Sequence, residues 1–250
     1  MKSISQYLLA LTNAQSLEEL WDMHTRAMAE YGFDRMLYGL TNYRTSTSLG
    51  DPADFILLSN HPKPYIERFI GDNLYFDAPM TQWALNHEGC CSWSRLERMI
   101  ADGSLTDAQR RVVEFNRSMQ VFAGYSISFR AVSSRAKGAI GLAARPDLTQ
   151  SQVDATWARH GTDILLMNNV AHLKITSLPY APPERKLTAR QREVLEWVGD
   201  GKTTQDIAIL MNLSRAMVEK HLRLARQALG VETTAQAVLK ATLLHQMYVF

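Results

Sequence analysis

Arg215, Glu219, Lys220, Arg223 and Gln227 are long hydrogen-bonding side chains that recur about one helical turn apart, with Val218, Leu222 and Ala225 set between them. On a helix this spacing puts the apolar residues on one side and the donors and acceptors on the other. Such a polar face can enter the major groove of DNA. Lys220 and Arg223 can donate to guanine or to phosphate, and Glu219 can accept from cytosine. The same spacing also suits a plain solvated face on which Glu219 and Arg223, four residues apart, form an intrahelical ion pair.

Other chemistry is sparse. The chain has no Gly-rich phosphate loop, no Gly-x-Ser-x-Gly elbow and no His-Glu-x-x-His zinc motif. Its two cysteines, Cys90 and Cys91, are adjacent, so they neither bridge readily nor give metal-ligand spacing. A nucleophile made from one of them with His61 or His87 is the only enzymatic combination left. We expect a chain that is not an enzyme and has no metal site and no cofactor. The cysteines are expected to be small buried hydrophobes in a reducing cytosol.

The elements that must hold the polar helix follow from composition. At 250 residues, 46% apolar and 21% charged, the chain has material for proper cores, and disorder is excluded as its main state. No apolar run is long enough to cross a bilayer, and the opening lacks the flanks of a secretory signal, so a cytoplasmic protein is expected. Three prolines fall within residues 179–183 and predict a linker over 176–184 between a domain at 1–175 and one at 185–250. Residues 185–250 hold ten Lys or Arg against six Asp or Glu, net +4, whereas residues 1–184 hold seventeen against nineteen, net −2. A basic carboxyl-terminal unit points to a polyanionic partner.

The first domain reads as α+β. A capping box from Ser16 to Glu19 opens a helix to about Glu30, Phe33–Tyr43 and Asp54–Ser59 read as strands, and Pro62 opens a further helix. Helices are expected near 79–87 and 106–119. Gly124–Val132 and Gly138–Ala144 read as an antiparallel hairpin, and Thr149 with Gln152 caps a long final helix. The whole predicts an α-β-α sandwich around one antiparallel sheet, an arrangement that can enclose a small ligand. The second domain predicts an all-α four-helix unit. One helix is capped by Thr188 and Gln191, a short one starts at Thr203 and Asp206, a longer one is N-capped by Ser214 and stopped by Gly230, and the last runs from about Thr233 to Tyr248. The two middle helices form a helix-turn-helix. The last carries Ala237, Ala241 and Leu244 on one side and Leu239, Leu243 and Met247 on the other, available to a second copy.

Residues 187–238 closely resemble the DNA-binding domain of the LuxR family of bacterial transcription regulators. The markers are Leu187-Thr188, Arg190, Val194-Leu195, Gly201-Lys202-Thr203, Ile207-Ala208, Val218, His221-Leu222 and Leu229-Gly230-Val231. Gln191 stands where the family commonly has glutamate. The resemblance implies a dimeric DNA-binding unit with the helix from Ser214 to Ala228 in the major groove. Arg215, Glu219, Lys220 and Arg223 are then the candidate groove contacts. Lys202, Thr203 and Thr204, at a helix start, are the candidate phosphate anchors.

More loosely, residues 1–175 resemble the family's receptors for N-acyl homoserine lactones, through Asn60, Pro62, Tyr65, Pro79, Trp83, Trp93, Gly124 and Gly138–Ala143. Aligned on Pro79 and Trp93, the lactone-binding tryptophan of the family falls at Tyr65, its amide-binding tyrosine at His61 and its amide-accepting aspartate at Ala78. Asp77 stands one residue early, and a local adjustment would bring it into place. The candidate ligand-binding residues are His61, Tyr65, Asp77, Trp93 and Tyr43, with Phe76, Trp83, Phe122, Tyr125 and Phe129 as further candidate lining. The resemblance implies a cytoplasmic homodimer on an inverted-repeat operator in double-stranded DNA, away from membranes and tuned by a small amphiphilic signal. An orphan regulator that folds and binds DNA without such a ligand is the alternative.

Overall fold

The computed structural model describes residues 3–131, 133–180, 182 and 185–248. The chain divides into two compact units, Met1–Thr176 and Ser177–Phe250. Of the expected hairpin and linker, Val132, Ala181, Pro183 and Glu184 lie outside the described residues.

The first unit opens with α1 (Ile4–Thr12) and α2 (Leu17–Ala29), then β1 (Phe33–Thr41) and β2 (Ile56–Ser59). Next come α3 (Lys63–Gly71), the single turn α4 (Leu74–Asp77), α5 (Pro79–Asn86), β3 (Gly89–Ser92), α6 (Ser94–Ala101) and α7 (Asp107–Ser118). β4 (Gly124–Ser128), β5 (Lys137–Ala144) and the 26-residue α8 (Gln150–Ile175) complete it. The strands form one antiparallel sheet in the order β2-β1-β5-β4-β3.

Strand alternation divides the sheet into two faces. Tyr38, Tyr125 and Phe129 lie on the face that meets α8. Tyr125 stacks on Trp157 at 3.9 Å, Phe129 stacks on His172 at 4.2 Å, and the Tyr38 hydroxyl bonds His172 Nδ1 at 2.8 Å. The opposite face carries Leu37, Gly39 and Thr41 of β1 with Ala139 and Gly141 of β5, and it looks toward α3, α4 and α5. Helices cover both faces, so the expected α-β-α sandwich forms.

Several elements differ from the sequence reading. Ser16 does accept from Glu19 N, but the Glu19 carboxylate accepts from Gln15 N instead of closing a box on Ser16. Residues 52–54 form a short 3₁₀ turn before β2. The cysteines are not buried: they lie on β3, an edge strand of the sheet, with Cys90 exposed and Cys91 half-buried.

The second unit is all-helical: α9 (Ala189–Gly199), α10 (Thr204–Leu210), α11 (Arg215–Leu229) and α12 (Thr234–Leu243). Capping boxes start α9 at Thr188, α10 at Thr203 and α12 at Thr233, while Ser214 accepts from Met217 N to start α11. Gly230 ends α11 at φ +64°, a conformation that strains any residue with a Cβ. Val194, Leu195, Ile207, Val218, Leu222, Ala225, Leu229, Ala237 and Ala241 form its core. The last helix stops five residues short of the expected Tyr248. Gln246 is buried and its side chain accepts from Leu187 N and donates to Arg185 O, which folds the tail back and seats Met247 in the core. Met247 therefore leaves the face expected to meet a second copy; Leu239 remains exposed and Leu243 half-buried. Among the described residues, no helix is long and apolar enough to cross a membrane, and no cluster of side chains could hold a metal ion.

Candidate functional site

In the first unit, small side chains on the inner sheet face leave a cavity of about 180 Å³ beneath the layer of α3, α4 and α5. Leu37, Gly39, Ala139 and Gly141 line its sheet side, and Phe69, Ile70, Tyr75, Ala78, Pro79, Met80 and Ala84 line its helical side. The wall is mostly apolar, with a few polar groups set into it.

His61, Tyr65 and Trp93 all line this cavity. The Tyr65 hydroxyl donates to Asn116 Oδ1 at 3.1 Å, and Trp93 Nε1 donates to Ser126 Oγ at 3.0 Å. Asn116 and Ser126 also line the cavity. The His61 ring stacks on Tyr65 with centroids 4.2 Å apart, and Tyr65 stacks in turn on Phe69 and Phe115. Burial lowers the His61 pKa to about 4, and the Arg35 guanidinium pushes the same way, so the ring is neutral near pH 7. Its Nδ1 is buried with no hydrogen-bond partner among the described residues. Burial also raises the Tyr65 pKa, which keeps that hydroxyl protonated as a donor.

Trp93 is positioned from several elements at once. Its backbone N donates to Gly124 O at 3.1 Å, and the Gln150 side chain, at the start of α8, bonds both the amide and the carbonyl of Gly124. A Cβ on Gly124 would sit 2.1 Å from Leu142 O and 3.0 Å from the Trp93 ring, so only glycine allows this close approach.

The other expected ligand residues fall elsewhere. Asp77 is exposed at the end of α4 and is not among the lining residues. Ala78, extended at the junction with α5, takes the wall position and is buried. Asp77 ends the turn of α4 on its exposed side and the chain turns extended only at Ala78, so the one-residue offset is not absorbed. Tyr43 is half-buried in the loop after β1, outside the lining. Phe76 and Phe122 are exposed, Trp83 packs with Met80 and Ala84, and Tyr125 and Phe129 face α8. Lys137, Asn116 and Ser126 line the cavity without having been singled out, because strands and a helix far apart in sequence bring them there.

In the second unit Val218, Leu222 and Ala225 are buried, and Arg215, Glu219, Lys220, Arg223 and Gln227 are all exposed along the opposite side of α11. Glu219 does not pair with Arg223: it accepts from the Thr204 hydroxyl at 3.2 Å, while Arg223 donates to Gln227 at 3.3 Å. That contact ties the start of α10 to α11 and orients Glu219. Thr203 shares its hydroxyl and amide with Asp206 and so holds that carboxyl below its usual pKa. Lys202 is exposed one residue earlier. The arrangement presents cations and one fixed acceptor on an outward helix, the chemistry that base edges and phosphates require.

Residues 16–175 match the family described as Autoinducer binding domain, and residues 185–241 match the family described as Bacterial regulatory proteins, luxR family. Transcriptional activator protein SolR of Ralstonia solanacearum is 31% identical over 236 residues, covering 93% of each chain. Transcriptional activator protein AnoR of Acinetobacter nosocomialis is 24% identical over 250 residues, covering 98% of this chain and 99% of that one. Among solved structures, Escherichia coli SdiA in complex with octanoyl-rac-glycerol shares the fold across 99% of this chain and 96% of its own, with a TM-score of 0.51 at 15% identity.

Proposed function

This chain belongs to the LuxR family of bacterial regulatory proteins and carries an autoinducer-binding domain, and from that we propose how its two units divide the work of a quorum-sensing transcription regulator. The exposed side of α11 reads double-stranded DNA in the major groove through Arg215, Glu219, Lys220 and Arg223, while Lys202, Thr203 and Thr204 meet phosphates beside it. Two copies act together on an inverted-repeat operator in the cytoplasm, because one small module gives too little contact for tight specific binding. The cavity of the first unit takes the signal, a small amphiphile held by His61, Tyr65 and Trp93.

One observation carries the ligand reading. A neutral, buried imidazole with an unpartnered nitrogen stands in the wall of an apolar cavity, and a buried polar atom without a partner costs roughly 1–3 kcal/mol. A polar head placed against His61 recovers that cost, and the apolar wall covers the chain behind it. The Ala78 side chain offers no acceptor for an amide N–H, so an ester head loses nothing to that side chain that an amide would keep. SdiA's ligand, octanoyl-rac-glycerol, is such an ester.

The test is to purify the full chain with and without acyl lactones and acyl glycerols and to measure binding to promoter fragments from the source genome. The signal should raise the thermal midpoint and change DNA affinity, and Lys220→Ala or Arg223→Ala should weaken DNA binding with thermal stability unchanged. Wild-type DNA affinity in both variants would remove this face of α11 from the interface. A midpoint indifferent to every amphiphile would remove the signal from the cavity.

A further inference from the structure

The cavity holds one more polar group that neither the fold nor DNA binding explains. On the inner face of β5 the alternating residues are Lys137, Ala139, Gly141 and Ala143, so a single long side chain stands at the end of a row of small ones. Lys137 is only 9% exposed and lines the cavity. Its ammonium donates to the carbonyl of His87 at 2.9 Å, which uses one of its three N–H groups. The charges it feels are Glu88, which is exposed, and Arg44, and neither makes an ion pair with it among the described residues. Among the described residues, no Asp or Glu lines the cavity. Burial accordingly lowers the Lys137 pKa.

A lysine is rarely buried without a counter-charge, because desolvating the ammonium costs more than one carbonyl returns. Among the described residues the one carboxylate whose charge reaches Lys137, Glu88, is exposed and makes no ion pair with it, which leaves that role to what fills the cavity. The position fits. Gly141, beneath Trp93, is four residues along β5 from Lys137, roughly 13 Å at about 3.3 Å per residue. The polar group of His61, Tyr65 and Trp93 and the Lys137 ammonium therefore mark two ends of one slot with small apolar residues between them.

We propose that Lys137 makes this cavity selective for a medium-chain aliphatic carboxylate, with the carboxylate paired to Lys137 and the chain running over Ala139 and Gly141 toward Tyr65 and Trp93. The inference rests on the cavity being the signal site. A free fatty acid and an acyl ester carboxylated at its far end both present this group. The second also places an ester against His61.

Equilibrium binding to the full chain tests this with four probes: nonanoate, methyl nonanoate, monomethyl azelate and dimethyl azelate. Each carboxylate should bind about ten- to a hundredfold tighter than its neutral ester, the range expected of a charge-assisted hydrogen bond in a desolvated site. Lys137→Met should abolish that gap, and Lys137→Arg should restore part of it. Monomethyl azelate binding above nonanoate identifies the carboxylated acyl ester as the source, and the reverse order identifies the fatty acid. Neutral esters that match their acids in the wild type, or a gap that survives in Lys137→Met, overturn the inference and leave the cavity as a signal site. If Lys137→Met does not fold, the acid-to-ester gap in the wild type decides alone. Failure of all four probes, of acyl lactones and of acyl glycerols to bind overturns the cavity reading itself.

Discussion

His24 lies wholly inside the first unit, between the Tyr7 hydroxyl at 2.6 Å from Nδ1 and Asn168 Oδ1 at 3.1 Å from Nε2. Asn168 uses its amide nitrogen on Ile164 O, so its oxygen faces His24 and accepts from Nε2–H. Nδ1 is then bare and accepts from Tyr7. The network joins α1, α2 and α8. Burial lowers its pKa to about 4, against the opposing Asn168 hydrogen bond. Above pH 6.5 the ring is neutral folded or unfolded and costs nothing. Between about 6.5 and 4 the unfolded chain takes up a proton that the folded chain refuses, so stability falls as pH falls, by about 3 kcal/mol for this group. His61 and His172, also lowered to about 4 by burial, add in the same direction. Denaturation midpoints measured from pH 7.5 to 4.5 should fall steadily. His24→Leu should start less stable at pH 7.5, by about 1–3 kcal/mol for the stranded Tyr7 and Asn168 groups, and should then fall less steeply. A variant that parallels the wild-type pH curve would show that this ring does not set it.

Among the elements, the β4–β5 pair controls the cavity through Gly124, whose missing Cβ lets Leu142 O and Trp93 approach. Gly124→Ala should force β4 away from β5 and displace Trp93, at a cost of about 1–3 kcal/mol for overpacking, together with weaker ligand binding. Urea midpoints and amphiphile affinity check it, and an unchanged midpoint would mean that the strand pair yields without strain. Most elements were legible because they carry local signals: the caps at Thr149, Thr188 and Thr203 mark helix starts that the structure reproduces. β3 carried none, since Gly-Cys-Cys-Ser has neither alternation nor branched residues and is a strand only because β4 pairs with it. The stop of α12 was equally hidden, being set by Gln246 reaching Leu187 and Arg185 about sixty residues back. The site divides in the same way. The family resemblance, aligned on Pro79 and Trp93, pointed to His61, Tyr65 and Trp93, whereas Lys137, Asn116 and Ser126 reach the cavity only through sheet register and helix packing.

At the scale of the whole molecule, charge follows the division into units, with net +4 over residues 185–250 and net −2 over residues 1–184. Lys202, Arg215, Lys220 and Arg223 are exposed cations on the proposed DNA surface, none of them paired to a carboxylate among the described residues. Each phosphate they neutralise releases counterions, so the logarithm of DNA affinity should fall linearly with the logarithm of salt concentration. If all four act in both copies of a bound pair, the slope reaches about −7, and each cation removed should lessen it by about one per copy. Lys220→Ala should therefore flatten the slope by about two if a pair of chains binds and by about one if a single chain does. Titrations over a range of potassium chloride concentrations, on wild type and variant, measure stoichiometry and contact together. A slope near zero in the wild type would mean that these cations do not reach phosphate. A slope unchanged in Lys220→Ala would assign that side chain to base edges or to solvent, which its loss of specificity between operator and random DNA, or the absence of any such loss, would then separate.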